Sequence, residues 1–337
     1  MGKSLKEVIE KYNSLGINQQ LDYDKFYLYS IITHSTAIEG STVTEIENQL
    51  LFDEGISANK PIKEQMMNLD LKKAYEKSFE YAKNHEKLTI EMLCNLSSIL
   101  MQNTGTEYNT IAGSFSSAKG ELRLVNVSAG RGGKSYLAWQ KVPDRLQKTC
   151  DYLNRRRSEI DKNNIEQIYK LSFEAHYLLV SIHPWADGNG RMSRLVMNMI
   201  QKEFDVIPSI VKKENRVEYI QSLATSQEKD DMQDFMDFMM NHHIQNLLQQ
   251  INEYSESLDD DTLNYKNDTL NDTLKLSQKE ITVLEIIKSN LTVTTAQIVE
   301  QTGFSRPTVM RAIKNLKENK ILERVDSKKT GSWKVNV

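Results

Sequence analysis

The stretch His183-Pro-Trp-Ala-Asp-Gly-Asn-Gly-Arg-Met-Ser-Arg194 joins two segments of helical periodicity and decides how the chain folds. Upstream of it, apolar residues recur every three or four positions from Ile165 to Ile182, which predicts a helix that Pro184 ends. Downstream, the same spacing predicts a second helix that begins near Arg191. The quoted stretch is therefore predicted to be a loop between the C-terminus of one helix and the N-terminus of the next.

This loop has the residue types of an anion site. The first backbone N–H groups of a helix lack partners within the helix, and the helix dipole adds partial positive charge there. Gly188 and Gly190 allow the backbone to approach phosphate oxygens closely, and Asn189 offers side-chain donors between them. Arg191 and Arg194 add planar donors suited to phosphate. We therefore expect a bound phosphate group at this loop.

Two further residues supply chemistry. Asp187 offers a hard oxygen ligand of the kind that phosphate-bound Mg²⁺ takes. His183 can be neutral near pH 7 and can accept a proton from a hydroxyl that attacks phosphorus. Alone, each residue has an ordinary explanation, a helix end or a turn. Together with the two arginines they favour phosphate transfer.

The same stretch is similar to the H-x-F-x-[D/E]-G-N-G-R-x-x-R motif of the Fic family, with Trp185 in the usual Phe position. The resemblance extends over roughly residues 10 to 245. It implies a mostly α fold, a Fic-type helical bundle with a small β-hairpin flap, and transfer of AMP from ATP to a Ser, Thr or Tyr hydroxyl of a target protein or of the chain itself. It implies the following roles: His183 as general base, Asp187 as Mg²⁺ ligand, Gly188, Asn189, Gly190 and Arg191 around the α- and β-phosphates, and Arg194 on the γ-phosphate.

Other segments extend this resemblance. Gly190 stands where relatives that transfer the terminal phosphate have lysine, which favours nucleotidyl transfer. Arg216 to Leu223 resembles a segment near the adenine pocket, so Tyr219 is a candidate nucleotide contact. The flap is expected near residues 114 to 136, where the alternation in Glu121 to Val127 predicts a strand. An ordinary surface hairpin is the alternative.

The segment Ser35-Thr-Ala-Ile-Glu-Gly40 resembles the family's inhibitory [S/T]-x-x-x-E-[G/N] motif, at the end of a helix predicted from Phe26 to Ile38. The resemblance implies that Ser35 and Glu39 are inhibitory, with Glu39 paired to Arg194 in place of the γ-phosphate. A solvated Glu at a helix end is the structural alternative. A hydrolase that removes AMP with the help of Glu39 is a further hypothesis.

The C-terminal part differs in charge from the rest. Residues 256 to 275 are acidic and poor in packing residues, whereas residues 276 to 337 carry eleven basic and six acidic residues. We therefore predict a Fic domain with inhibitory helix and flap over 1–255, a linker over 256–275 and a winged helix-turn-helix domain over 276–337.

The winged-helix prediction rests on helices over Gln278 to Ser289, Thr295 to Thr302 and Ser305 to Glu318, followed by two short strands. Candidate DNA contacts are Arg306, Arg311 and Lys314 on the third helix, with Lys328 and Lys329 in the wing. An alternative function is therefore that of a DNA-binding transcription regulator with a nucleotide-sensing Fic domain. A protein-docking or dimerisation wing is equally open.

The composition limits the classes of protein to which this chain can belong. A chain of 337 residues with 39% apolar residues can bury a large core, and a net charge of −3 gives no reason to expect the whole molecule to coat nucleic acid. The absence of a long apolar run predicts no membrane span, and Cys94 and Cys150 fit no disulfide framework, so a cytoplasmic protein is expected. A homodimer stays open. The stretch from Gly130 to Ser135 resembles a Walker A loop, but Ser128 stands where that pattern requires glycine.

Overall fold

The computed structural model describes residues 4–129, 135–267, 277–319, 321–325 and 332–335. The chain divides into two compact units, Met1–Leu248 and Gln249–Val337. Both units are built mainly from α-helices. The mostly α fold predicted from the sequence is therefore confirmed.

The helices that begin in the first unit are α1 (Leu5–Ser14), α2 (Tyr23–Ile38), α3 (Glu45–Asp53), α4 (Ile62–Lys83), α5 (Ile90–Leu100), α6 (Val142–Glu159), α7 (Ile165–Ile182), α8 (Asn189–Glu203), α9 (Arg216–Lys229) and α10 (Gln233–Asn267). The two helices predicted on either side of the loop are α7 and α8. The second begins two residues earlier than predicted.

The core of the first unit surrounds α8, which packs against both α4 and α7. Leu195 and Val196 of α8 are fully buried. One buried polar side chain on this helix, that of Asn198, accepts a hydrogen bond from Tyr75 at 2.8 Å and donates one to the Ser209 carbonyl at 2.9 Å. A buried polar group without a partner would cost roughly 1–3 kcal/mol. The helix that follows the loop is thus fixed by apolar and polar contacts alike.

A buried polar network fixes the C-terminal end of α2. Thr36 donates a hydrogen bond to Asn68 Oδ1 at 2.7 Å, and Asn48 donates to the same oxygen at 2.9 Å and to Thr33 Oγ1 at 2.8 Å. Asn68 in turn donates to Ser41 Oγ at 3.2 Å. Because these residues come from α2, α3, α4 and the turn after α2, the network ties the end of α2 to its neighbours.

The hairpin lies earlier in the chain than predicted. It consists of β1 (Glu107–Thr110) and β2 (Gly113–Ser116), which pair antiparallel. The strand predicted over Glu121 to Val127 is wrong, because these residues form irregular backbone. Arg123 occupies a polar position of the alternation but is only 1% exposed and donates to main-chain carbonyls. Of the predicted flap, the described residues retain β2 and one isolated bridge between Ser128 and Ser135.

The second unit has the elements predicted for a winged helix. They are α11 (Gln278–Ser289), α12 (Thr295–Thr302), α13 (Arg306–Glu318) and the antiparallel pair β3 (Leu322–Val325) and β4 (Ser332–Val335). Ser305, which the sequence predicts as the N-cap of the third helix, is the N-cap residue of α13, and Arg306 is the first helical residue. Val309, Ile313 and Leu316 are buried, as their spacing predicted.

The segment predicted as a linker differs in part from the prediction. Helix α10 continues through it as far as Asn267, and residues 268–276 lie outside the described residues. Among the helices that the structure describes, none combines the length and the apolar character needed to cross a membrane.

Candidate active site

The loop between α7 and α8 has a tightly constrained backbone. His183, the residue after α7, adopts the left-handed conformation with φ 54° and ψ 62°. Gly188, the N-cap residue of α8, has φ 81°, and a Cβ atom there would meet Met101 Sδ at 2.9 Å. A residue with a side chain would therefore be strained and crowded at position 188. The loop brings the N-terminus of α8 against the end of α5.

Two buried side chains shape this loop. Trp185 is fully buried, and its indole N–H donates to the Gly120 carbonyl at 3.0 Å. Asn189 accepts from the Trp185 N–H at 3.1 Å and donates to the Trp185 carbonyl at 2.9 Å. Asn189 was predicted to offer its side chain to an anion, but the structure shows its amide bonded to the loop backbone instead. Its observed contacts set the shape of the loop.

The guanidinium of Arg191 has unsatisfied hydrogen-bond donors at this site. Its side chain is buried, with Nη2 3.3 Å from Met101 Sδ and 3.8 Å from Asp187 Oδ1. Within the described part of the chain, Nε and Nη1 have no hydrogen-bond partner. Burial lowers the pKa of Arg191, because desolvation disfavours the charged form. Buried unsatisfied donors are uncommon and call for an explanation, and a bound anion provides one.

Arg194, one turn further along α8, has its donors occupied. Its Nε donates to Ser35 Oγ at 2.9 Å, and Nη2 donates to the Ser35 carbonyl at 2.9 Å and to Glu39 Oε1 at 2.6 Å. Its Nη1 donates to the Tyr219 hydroxyl at 3.3 Å. Burial alone would lower the pKa of Arg194, but Tyr219 and the Glu39 carboxylate outweigh it and raise the pKa. The contact predicted between Glu39 and Arg194 is therefore present.

Glu39 lies directly over the start of α8. A Cβ atom on Gly190 would approach Glu39 Oε1 to 2.5 Å, so glycine at this position leaves the space that the carboxylate occupies. Burial opposes ionisation of Glu39, yet Arg194 and the nearby Arg191 and Arg216 lower its pKa below the ordinary value. The side chain of Glu39 is 36% exposed to solvent. An ionised carboxylate thus holds the position beside Arg194.

His183 faces this loop from the end of α7. Its Nδ1 lies 3.3 Å from the Val180 carbonyl, and its ring stacks on that of Tyr136 with centroids 3.9 Å apart. If Nδ1 carries the proton and donates it to that carbonyl, Nε2 is left as an acceptor. Burial lowers the pKa of His183 to about 4, so the ring is neutral near pH 7. A neutral ring with a free acceptor nitrogen can take a proton.

Comparison with known families agrees with this geometry. Residues 87–201 match the family model described as Fic/DOC family, and residues 274–331 match the model described as MarR family. The chain carries a Fic/DOC family domain. The second match covers α11, α12, α13 and β3 and ends directly before β4.

Relatives of the Fic domain are distant. The protein adenylyltransferase fic-1 of Caenorhabditis elegans is 24% identical over 248 residues, which cover 72% of this chain and 45% of that relative. The chain thus spans less than half the length of this curated relative. A Fic domain containing signaling protein from Bacteroides thetaiotaomicron has a TM-score of 0.58 at 21% identity, covering 74% of this chain and 96% of its own. A Fic family protein from Desulfovibrio desulfuricans has a TM-score of 0.56 at 18% identity, covering 100% of this chain and 97% of its own. At these identities the two structures show a shared fold.

The Fic domain contains functional candidates that the sequence analysis missed. Arg123 donates to the His183 carbonyl, and Tyr136 covers the His183 ring. His176 is fully buried, and its Nε2 lies 2.9 Å from the Tyr219 hydroxyl, two turns before His183 on the same face of α7. That spacing of seven residues was the one available signal for His176. Nothing in the local sequence marks the other two contacts.

Asp187 is the one predicted metal ligand. Its side chain is 58% exposed, and Oδ1 accepts a hydrogen bond from the Gly188 N–H at 2.6 Å. Over the ranges that the structure describes, no group of three or more His, Cys, Asp and Glu residues forms a metal cluster. A divalent ion at Asp187 would therefore need most of its ligands from phosphate and water, which suits phosphate-bound Mg²⁺.

The remaining predicted contacts belong to the Walker-like stretch and to the C-terminal unit. Residues 130–134 of the Walker-like stretch and the wing residues Lys328 and Lys329 lie outside the described residues. In the second unit, the Arg311 guanidinium lies 5.1 Å from the ring centroid of Tyr254 and donates to Ser257 Oγ at 3.3 Å. Arg311 is therefore engaged with α10. Arg306 is half-buried, and Lys314 is exposed, with Glu318 at 3.8 Å.

Proposed function

We propose that this chain is a protein adenylyltransferase that transfers AMP from ATP to a Ser, Thr or Tyr hydroxyl of a protein. The observation that carries the proposal is the pair of unsatisfied, buried donors on Arg191, in the first turn of α8, on the loop that begins with a neutral His183. These groups suit a polyphosphate beside a general base. The curated relative from Caenorhabditis elegans, which bears the name protein adenylyltransferase, supports the same reaction class.

In this reaction the hydroxyl oxygen of the target attacks the α-phosphorus of ATP. A new P–O bond forms, the bond from the α-phosphorus to the bridging oxygen of the β-phosphate breaks, and pyrophosphate leaves. His183 Nε2 accepts the hydroxyl proton. Asp187 would hold Mg²⁺, which neutralises phosphate charge when bound. The backbone of Gly188 and Gly190 and the donors of Arg191 hold the α- and β-phosphates.

The proposal includes autoinhibition by α2. Arg194 is the expected partner of the γ-phosphate, but in this structure Glu39 and Ser35 occupy its Nη2 and Nε donors. A carboxylate bound to that guanidinium excludes a second anion from the same donors. ATP can then bind only in an unproductive position. Displacement of Glu39 from Arg194 activates the enzyme.

Intact-mass analysis of the Glu39→Gly chain with ATP and Mg²⁺ tests the proposal. We expect a gain of one AMP on the chain or on an added protein mixture, and a much smaller gain in the unmutated chain. The matched control is Glu54→Gly, because Glu54 precedes Gly55 at the end of α3 as Glu39 precedes Gly40 at the end of α2. His183→Ala in the Glu39→Gly background should abolish the gain.

Two outcomes would count against the proposal. A gain of one phosphate in place of AMP would indicate a kinase. The second outcome is that a folded Glu39→Gly chain, given ATP radiolabelled at the α-phosphate, labels neither itself nor added proteins. That result would contradict transferase activity. If Glu54→Gly activates as strongly as Glu39→Gly, autoinhibition through Arg194 fails while the transferase activity stands.

A second candidate function, DNA binding by the C-terminal unit, is supported by the MarR family match over residues 274–331. Arg306 and Lys314 are the proposed contacts on α13; Arg311 would first have to leave Tyr254 and Ser257. Binding of the full chain to a duplex should weaken linearly in the logarithm of salt concentration. If Lys314 contacts one phosphate, Lys314→Ala should reduce the magnitude of the slope of log K against log salt concentration by about one. Absence of any salt-dependent binding would leave the wing as a protein-docking or dimerisation surface.

A further inference from the structure

His183 is held in a costly backbone conformation. Its φ of 54° and ψ of 62° lie in the left-handed region, which is unfavourable for a residue with a side chain unless its surroundings enforce it. The His183 N–H donates to the Leu179 carbonyl at 3.0 Å, which fixes only the side of the residue facing α7. Another group must fix the side facing the loop.

Arg123 supplies that group. Its backbone N–H donates to the Pro184 carbonyl at 3.0 Å, and its Nε donates to the His183 carbonyl at 2.7 Å. Two donors of one residue thus bind two successive carbonyls. This arrangement orients both peptide groups after His183 and therefore sets the direction in which its ring leaves the backbone.

The same guanidinium also holds the segment that covers the ring. Arg123 Nη1 donates to the Val125 carbonyl at 2.7 Å, and Nη2 donates to the Leu137 carbonyl. Leu137 follows Tyr136, whose ring stacks on that of His183 at an interplanar angle of 19°. One side chain therefore connects the backbone of His183 to the residue that packs against its imidazole.

The surroundings of Arg123 are unusual for a residue that only stabilises the fold. It is 1% exposed, yet no carboxylate of the described residues forms an ion pair with it. A buried charge without a counter-ion is costly. The other arginine comparably buried outside the loop, Arg157, is 9% exposed and has a carboxylate partner, Glu203, at 2.7 Å. Perturbed, uncompensated groups of this kind concentrate at functional sites.

We infer that Arg123 is a positioning residue for the proposed transfer reaction: its backbone N–H and its guanidinium fix the two peptide groups after His183 and so set the direction of the imidazole. Burial is the main cause of the lowered pKa of His183; Arg123 lowers this pKa further, whereas the Val180 carbonyl, Glu39 and Asp187 raise it. The hydroxyl-bearing ring of Tyr136 lies against the imidazole face. The inference rests on the proposed function for its kinetic part, but its structural part can be measured without activity.

The test compares Arg123→Lys, Arg123→Met and the control Arg157→Lys in the full-length chain. In the Glu39→Gly background, both Arg123 variants should lose kcat, by about 100-fold if His183 is displaced by 1 Å, with little change in the KM for ATP. NMR titration of the imidazole, assigned by loss of its signal in His183→Ala, should show a higher pKa for His183 in Arg123→Met, which lacks the charge. Arg123→Lys, which keeps the charge, should titrate like the parent.

Each outcome of these measurements either supports or overturns the positioning role of Arg123. An unchanged His183 titration in Arg123→Met, together with a kcat like that of Arg157→Lys, overturns the inference. A shifted titration in a chain that transfers no AMP supports the positioning role while the proposed function fails. If Arg123→Met does not fold, Arg123→Lys carries the decision through the split between kcat and KM: a fall in both parameters equally would indicate a merely structural role.

Discussion

Exchange of Glu39 for glutamine tests the competition between α2 and nucleotide at Arg194. Glutamine keeps the shape of the side chain but removes its charge. A hydrogen bond between charged groups contributes about 1.5–3 kcal/mol, and the lower end applies to Glu39 because 36% of its side chain faces solvent, which screens the pair. A difference of about 1.5 kcal/mol corresponds to roughly tenfold in a dissociation constant. We therefore expect Glu39→Gln to bind ATP and Mg²⁺ about tenfold more tightly.

Calorimetric titration with ATP and with ADP separates this mechanism from a general effect on the site. ADP lacks the γ-phosphate, so its affinity should not change if the competition takes place at Arg194. Glu54→Gln is the matched control and should bind both nucleotides as the parent does. Equal gains for ATP and ADP in Glu39→Gln, or no gain for either, would refute the competition.

Three further predictions concern stability. Asn68→Leu removes the centre of the network that holds the end of α2; urea unfolding should show a loss of about 1–3 kcal/mol, and self-modification should rise. Gly188→Ala, with φ 81° and Met101 Sδ 2.9 Å from the new Cβ, should lower the melting temperature more than Gly55→Ala, which has φ 69° and open space around it. Although burial opposes its ionisation, Glu39 has a lowered pKa, so its carboxylate stabilises the folded chain above its unfolded pKa of about 4.3. The gap in unfolding free energy between parent and Glu39→Gln should close as pH falls through the folded pKa.

The helices and the residues that meet at the loop could be predicted because each leaves a local signal. The period of apolar residues marks α7 from end to end, and Ser305 marks the start of α13. The pair of Glu39 and Arg194 could be predicted only through resemblance to the Fic motifs, because the two residues are 155 positions apart. No period or spacing in the chain connects them.

Two polar residues have partners that the sequence did not indicate. The alternation around Arg123 predicted a strand because a charged residue normally faces solvent, whereas this one is buried and bound to carbonyls. Asn189 was predicted to present its side chain to an anion, whereas both of its amide groups bond to the backbone of Trp185. A polar residue in a sequence shows that it needs partners. It does not show whether those partners are solvent, ligand or backbone.

The partners of Arg194 indicate how the proposed switch can operate at small energetic cost. The guanidinium is 3% exposed, so leaving it without an anionic partner would cost several kcal/mol, more than exchanging one anion for another. Glu39 and a γ-phosphate both satisfy that requirement, and the Tyr219 contact at Nη1 need not change during the exchange. The balance between the two states then depends less on the arginine than on how firmly α2 is held. That hold comes in part from the network around Asn68, whose hydrogen bonds go to α2, α3 and Ser41, so substitutions there should shift activity without altering the chemistry.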